Sequence, residues 1–229
     1  IGQRHRTGGG NLRAAVFGIN DGLVSNASLI MGMAGAAADS RTLLLAGVAG
    51  LLAGAFSMAA GEYVSVRSQR EVFEYQIALE RAELEEYPEA EAEELAIIYQ
   101  AKGLARDEAR RIAGTLIADP ERALDTLARE ELGLNPDELG SPWGAAIASF
   151  VAFGAGALIP LLPFLVLDAR LAFGWTVTLT ALALFSVGAV LSLYTGRGAV
   201  VSGIRMLAIG AAAGLATYGI GALVGVAVA

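Results

Sequence analysis

The sequence predicts an all-α membrane protein with five transmembrane helices per subunit and a cytoplasmic helical domain inserted between helices two and three. Three observations predict it. The 229 residues are 55% hydrophobic, with mean hydropathy +0.56 and 29 glycines, a composition that suits helices packed closely in lipid. Apolar runs approaching or exceeding the roughly 20 residues that a helix needs to cross a bilayer recur along the chain. Most of the acid is confined to one stretch, from Glu71 to Glu138, so that stretch is a separate water-exposed unit.

The first span is expected from Leu12 to Ala38 and the second from Thr42 to Val66. The third runs from Trp143 to Leu167, the fourth from Phe173 to Tyr194 and the fifth from Ile204 to Ala229. The connections ADSRT (Ala38 to Thr42) and DARLAF (Asp168 to Phe173) are short, which makes neighbouring helices antiparallel. Small residues four apart at Gly50/Gly54, Gly210/Gly214 and Gly221/Gly225 mark close helix contacts or a dimer seam. The domain limits are therefore 1–66, 67–141 and 142–229.

The inserted stretch carries its own helical punctuation. Glu71 to Tyr87 continues from the second span without a stop, and Pro88 breaks it. Glu89 to Lys102 forms a helix ended by Gly103, and Asp107 to Ile117 forms another. Pro120 opens a last helix that runs to Glu131 and closes at Gly133. Leu95, Ile98, Leu104, Ile112, Leu116, Leu124 and Leu127 recur at helical spacing and predict a small core.

Basic residues set the orientation. Arg4, Arg6 and Arg13 precede the first span, Arg67 and Arg70 follow the second, and Arg197 and Arg205 flank the connection before the fifth. The opposite connections hold Arg41 and Arg170, each close to an aspartate. The N-terminus and the acidic domain are thus expected in the cytoplasm. The first residue is Ile1 rather than methionine, which leaves room for an upstream segment. The first apolar run is too long and too polar for a cleavable signal peptide.

Composition also limits the chemistry. A net charge of −7 concentrated in one acidic segment excludes nucleic acid as a partner. With no cysteine, disulfides and thiolate metal sites are excluded, and the single histidine, His5, lies in the basic tail. A metal site here must use carboxylates, carbonyls, amides or thioethers, ligands for hard or borderline divalent ions. No prosthetic group is expected.

Two groups of residues fit that description. Asp21 interrupts the first span in GINDGLVSNASLIMG, about seven residues or roughly 10 Å inside it. The second span runs the other way and ends FSMAAGEYVSV, where Met58 and Glu62 share a face at matching depth. Asp21, Met58 and Glu62 are therefore candidates for a path through the membrane. Asn26 and Ser28 read equally well as polar glue between helices, and Met31 and Met33 as packing.

The second group lies in ERAELEEYPEAEAEEL, Glu80 to Leu95, which holds eight glutamates and one arginine. Glu80 and Glu83 are three apart on one helix face, and Glu91 and Glu94 repeat the spacing beyond the proline. The pairs Glu83 with Glu91 and Glu80 with Glu94 are both centred on Tyr87. A chain folded back there sets four carboxylates against one another, for which a divalent cation is the natural counter-charge. Glu85, Glu86, Glu89 and Glu93 fall elsewhere and read as solvated.

FGINDGLVSN, FSMAAGEYVSVRSQ, the two ExxE pairs around YPE, and EELGL together resemble the vacuolar iron transporter (VIT, nodulin-21-like) family over nearly the whole chain. The resemblance implies a homodimer in the lipid bilayer that exports Fe²⁺, often Mn²⁺ too, from the cytosol in exchange for protons. It implies a path lined by Asp21 and Met58, with Glu62 in the same motif, and a cytoplasmic metal site of Glu80, Glu83, Glu91, Glu94 and Glu131. Divalent metal is then both substrate and ligand, and the chain is not an enzyme. Two departures from plant members stand out. Leu127 and Ala128 replace methionines ahead of the last glutamate, and Ala46 to Ala55 lacks an acid found in the outer half of helix two. The first departure implies weaker selection among divalent ions, and the second removes a residue linked to proton coupling. The glycine- and alanine-rich, cysteine-free composition suits a bacterial plasma-membrane member.

Two other readings compete. A membrane-anchored metal buffer or sensor would use the acidic hairpin alone and carry no flux. An intramembrane aspartyl protease needs two aspartates sharing a proton, and only Asp21 lies within an expected span.

Overall fold

The computed structural model describes residues 9–135, 139–167 and 169–228, and every regular element among them is a helix. Arg4, His5, Arg6, Glu138, Asp168 and Ala229 lie outside the described residues. In order, the helices are α1 (Gly9–Gly35), α2 (Ser40–Glu86), α3 (Pro88–Ala101), α4 (Arg106–Ile117) and α5 (Pro120–Glu130). They continue as α6 (Pro142–Leu158), α7 (Leu162–Val166), α8 (Ala169–Thr195) and α9 (Ala199–Val228). The chain divides into two compact units, one of Ile1–Tyr63 with Trp143–Ala229 and one of Val64–Pro142.

In the first unit, three described helices are long and apolar enough to cross a membrane: α2, α8 through Leu171–Leu193, and α9 through Ala199–Ala227. At 1.5 Å per residue the 47-residue α2 is more than twice as long as a roughly 30 Å hydrocarbon core requires. Its charged portion from Arg67 onward therefore lies outside any span. α1 has 27 residues and carries Asn20, Asp21, Ser25 and Asn26 in its middle turns. It begins before Leu12, so Asp21 sits near the helix midpoint rather than in its first third. α9 likewise begins earlier than expected, five residues ahead of Ile204, so Arg205 lies in its second turn rather than at its start, and Gly196 (φ +66°) has already ended α8.

The expected third span, Trp143 to Leu167, is not continuous. α6 is a 17-residue apolar helix, and α7 begins three residues after it ends. Pro160 and Pro163 lack amide hydrogens, and the chain tightens to three-residue bonds (Ile159 N to Gly156 O, 3.3 Å; Leu161 N to Leu158 O, 3.0 Å).

Small residues bring these helices together. A side chain at Gly22 would run into the backbone oxygen of Phe153, and one at Gly221 into that of Gly32. Gly54 seats the Phe153 ring, and Gly210 seats Leu184. The small-residue pairs thus serve contacts within the subunit. Ile30, Leu43 and Leu161 form one buried cluster, with Met33 packed against it, and Ala55, Phe153 and Ala157 form another. Asp39 caps α2, accepting from Arg41 N at 2.9 Å and Thr42 N at 3.0 Å.

In the second unit, Tyr87 alone separates α2 from α3, with Pro88 opening the new helix. Gly103 (φ +102°) and Gly133 (φ +64°) take the left-handed conformations that end α3 and α5. The core holds Leu84, Leu95, Ala96, Ala109, Ala113, Ala123 and Leu127, with Leu104 and Leu116 against it. Ile98, Ile112 and Leu124 are only half-buried, since alanines fill the centre and let the short helices approach closely.

Candidate metal centre and membrane cavity

Three carboxylates converge inside the second unit. Glu80 stands two turns before the end of α2, Glu91 in the first turn of α3, and Glu131 at the C-cap of α5. One oxygen from each lies within 4.8 Å of the others. Glu80 and Glu91 are 3% and 6% exposed, unusual for acids, while Glu131 is open to solvent.

Their burial has a simple origin. Each is one helical turn from a leucine of the same core: Glu80 from Leu84, Glu91 from Leu95, Glu131 from Leu127. Packing the leucines turns the three acids toward a common point. Glu83 and Glu94 sit on neighbouring faces and stay exposed. The mirror pairing expected from the sequence is therefore corrected. Glu80 groups with Glu91 and Glu131 rather than with Glu94, because the buried face and not the distance from Tyr87 selects the partner.

The electrostatics follow from that geometry. Burial, then the charges of Glu131, Glu91 and Glu83, push the Glu80 carboxyl up to about 7. Glu91 is also raised, by burial and then by Glu94 and Glu83, although Glu80 acts the other way. Glu131 is raised by partial burial of its carboxyl and by Glu94, Glu91 and Glu83. The charge of Glu83 thus bears on all three raised groups, and that of Glu94 on Glu91 and Glu131.

Six cations of this unit form ion pairs away from the three acids. Arg110 binds Glu93 through two bonds of 2.6 and 2.9 Å, and Arg67, Arg70 and Arg129 hold Glu71, Glu74 and Asp125. Lys102 pairs with Glu130. Glu93, expected to be solvated, is thus a link between α3 and α4. At the centre is a cluster of oxygen donors among acidic charges, suited to a hard or borderline divalent cation.

The first unit holds a cavity of about 340 Å³ between α1, α2 and α6. Asp21, Ser25 and Asn26 line it from α1, Ser57 and Met58 from α2, and Phe153 from α6. Asp21 and Met58 are therefore brought together. Glu62, one turn beyond Met58 and half-buried, is not part of the lining. Ser25 Oγ donates to the backbone oxygen of Asp21 at 2.5 Å, leaving the Asp21 side chain exposed toward the cavity mouth. Asn26 Nδ2 donates to Ala157 O at 2.7 Å, which joins α1 to α6 as the glue reading expected.

The VIT family model matches residues 12–222. Vacuolar iron transporter 2 of Oryza sativa subsp. japonica is 33% identical over 220 residues, covering 95% of this chain and 89% of that protein. The vacuolar iron transporter of Acanthamoeba castellanii is 36% identical over 230 residues, covering 97% of this chain and 83% of its own. Vacuolar iron transporter homolog 5 of Oryza sativa subsp. japonica is 37% identical over 211 residues, covering 91% and 78%. These relatives are named as transporters rather than enzymes, and over a match of this extent the chain belongs to the VIT family.

Proposed function

We propose that this chain is a membrane transporter that exports Fe²⁺, and Mn²⁺ with it, from the cytosol by proton antiport. It works as a homodimer of five-span subunits with its N-terminus and acidic domain in the cytoplasm. Glu80, Glu83, Glu91, Glu94 and Glu131 collect the cation, and it leaves past Asp21 and Met58, with Glu62 at the inner mouth. The domain limits 1–66, 67–141 and 142–229 and a bacterial plasma-membrane setting belong to the same reading.

The observation that carries it is the convergence of Glu80, Glu91 and Glu131, where the charges that act on the three carboxyls are all acidic. Buried anions at that separation repel strongly, and a divalent ion removes the repulsion while satisfying their oxygens. The names of the relatives supply iron as the cargo. The broken third span tells against a count based on length alone; α6 and α7 together, 142–166, supply the crossing in this reading.

The test is metal flux in proteoliposomes holding the full chain, with and without a pH gradient, comparing Fe²⁺, Mn²⁺, Zn²⁺ and Co²⁺. Fe²⁺ uptake that accelerates with the gradient supports antiport. Binding without flux would leave the anchored-buffer reading in its place.

A further inference from the structure

Asn26 is 2% exposed, on the face of α1 that lines the Asp21–Met58 cavity. Its two polar atoms have different fates. Nδ2 donates to Ala157 O at 2.7 Å, which fixes the plane of the amide. Oδ1 is then turned away from α6, and no donor among the described residues reaches it. A buried acceptor left without a partner costs about 1–3 kcal/mol, so a purely structural side chain here would use both ends or neither.

The opposite wall is made to admit that oxygen. It lies 3.0 Å from the point where a Cβ on Gly50 would stand, and Gly50 also lines the cavity. The oxygen is buried against Gly50, and any larger residue there would press on it. Ser25, the neighbouring hydroxyl on α1, already gives its proton to Asp21 O. The atom is therefore oriented and desolvated, in the wall of a cavity that Asp21, Ser25, Ser57 and Met58 also line.

We propose that Asn26 Oδ1 is a ligand for the divalent cation in this cavity, the neutral hard donor in a set with the Asp21 carboxylate and the Met58 thioether. The inference rests on the transport path assigned above. Its consequence is selectivity. An amide oxygen favours ions such as Mn²⁺ and Fe²⁺, whereas the thioether favours softer ones such as Cd²⁺. Together they reject neither class outright but bias transport toward the harder ions.

Asn26→Leu keeps the shape and removes the donor. In proteoliposomes of the full chain it is expected to raise the KM for Mn²⁺ about tenfold and lower the Mn²⁺ to Cd²⁺ flux ratio by a similar factor. Mn²⁺ binding at the glutamate cluster, measured by calorimetry, stays at the wild-type value. Gly50→Ala adds a methyl that meets Leu29 Cδ2 and stands 3.0 Å from Oδ1, and it should shift the ratio in the same direction. It decides the matter alone if Asn26→Leu does not fold. A structural role lowers flux of both metals together, and an unchanged ratio in both variants overturns the proposal. Asp21→Ala separates the two levels. If it transports like wild type, the path assignment fails; if it is inactive while the ratio holds in the other variants, only the role of Asn26 fails.

Discussion

Glu80 and Glu91 bring a carboxylate oxygen each to within 4.8 Å of one another, across a hairpin whose only connecting residue is Tyr87. Two buried carboxylates this close resist carrying both charges, and burial with the neighbouring acids pushes the Glu80 carboxyl up to about 7. The pair titrates as a unit within the wider field of Glu83, Glu94 and Glu131. In the proposed site, proton and divalent metal would compete for the same oxygens. That competition links the resting state of the cluster to its loading.

The first prediction concerns pH. Below about 7 a cation must expel the Glu80 proton, and above it the oxygens are already bare, so affinity rises with pH through that value. Metal-free stability runs the opposite way. The folded-state pKa lies above the ordinary 4.5, so the proton's contribution is fully present below 4.5 and is lost as pH rises through about 7. Calorimetric titration of the full chain with Mn²⁺ at about pH 6 and about pH 8 should show at least tenfold tighter binding at the higher value. Thermal unfolding without metal should show the lower midpoint there. Affinity that is flat across the interval contradicts the assignment of the site.

Neutralising the buried acids separates binding from stability. Glu80→Gln and Glu91→Gln each remove a ligand charge, and each is expected to weaken Mn²⁺ binding tenfold or more. The same changes relieve repulsion in the empty cluster, so the metal-free protein should melt at a higher temperature than wild type. Glu83→Gln and Glu94→Gln, at exposed positions, should weaken binding by a smaller factor. Glu85→Gln, on another exposed face, should leave both quantities unchanged. A loss of affinity accompanied by a loss of metal-free stability would mean that the glutamates hold the fold and not the ion.

The sequence announces the helices of the second unit clearly because their ends carry chemistry that acts locally. Pro88, Gly103, Pro120 and Gly133 each constrain one or two dihedral angles, and the helices start or stop beside them. The centre was less legible. Spacing within each helix placed Glu80 with Glu83 and Glu91 with Glu94, but which member turns inward depends on the core beneath. The Glu–Leu spacings Glu80/Leu84, Glu91/Leu95 and Leu127/Glu131 carry that information, and only once the leucines are known to share a core. In the first unit an apolar run reports burial or lipid contact, not continuity. Pro160 and Pro163 were the available signs that the run from Trp143 is broken. Asn26 was legible as glue, but the free half of its amide depends on Ala157 and Gly50, far from it in sequence.

The packing of the first unit gives a prediction that is independent of metal. A methyl group at Gly22 meets the backbone of Phe153 and Ala157, which cannot move aside as a side chain tip could. Gly22→Ala should therefore destabilise the detergent-solubilised chain by about 1–3 kcal/mol. Nothing stands within 4 Å of the corresponding position at Gly174, in α8. There Gly174→Ala should be neutral or stabilising by up to about 1 kcal/mol, through helix propensity. The comparison is read as a difference in unfolding midpoint, and equal midpoints would show that α1 and α6 are not in close contact.

The last prediction divides the three candidate path residues. Asp21 and Met58 line one cavity, whereas Glu62 lies a turn beyond its lining. Asp21→Asn removes the only carboxylate in that cavity lining while keeping its size, and Fe²⁺ flux should fall at least a hundredfold, with Mn²⁺ binding at the glutamate cluster intact. Met58→Leu keeps volume but deletes the thioether, so flux of soft ions should fall further than flux of Mn²⁺. Glu62→Gln acts at entry and should cost a few-fold at low salt, an effect that shrinks as salt is raised, because a charge that attracts cations through water is screened. Initial rates in proteoliposomes at two salt concentrations read all three. If Glu62→Gln matches Asp21→Asn in severity and in salt independence, the glutamate belongs inside the path, and the cavity seen in a single subunit is not the whole of it.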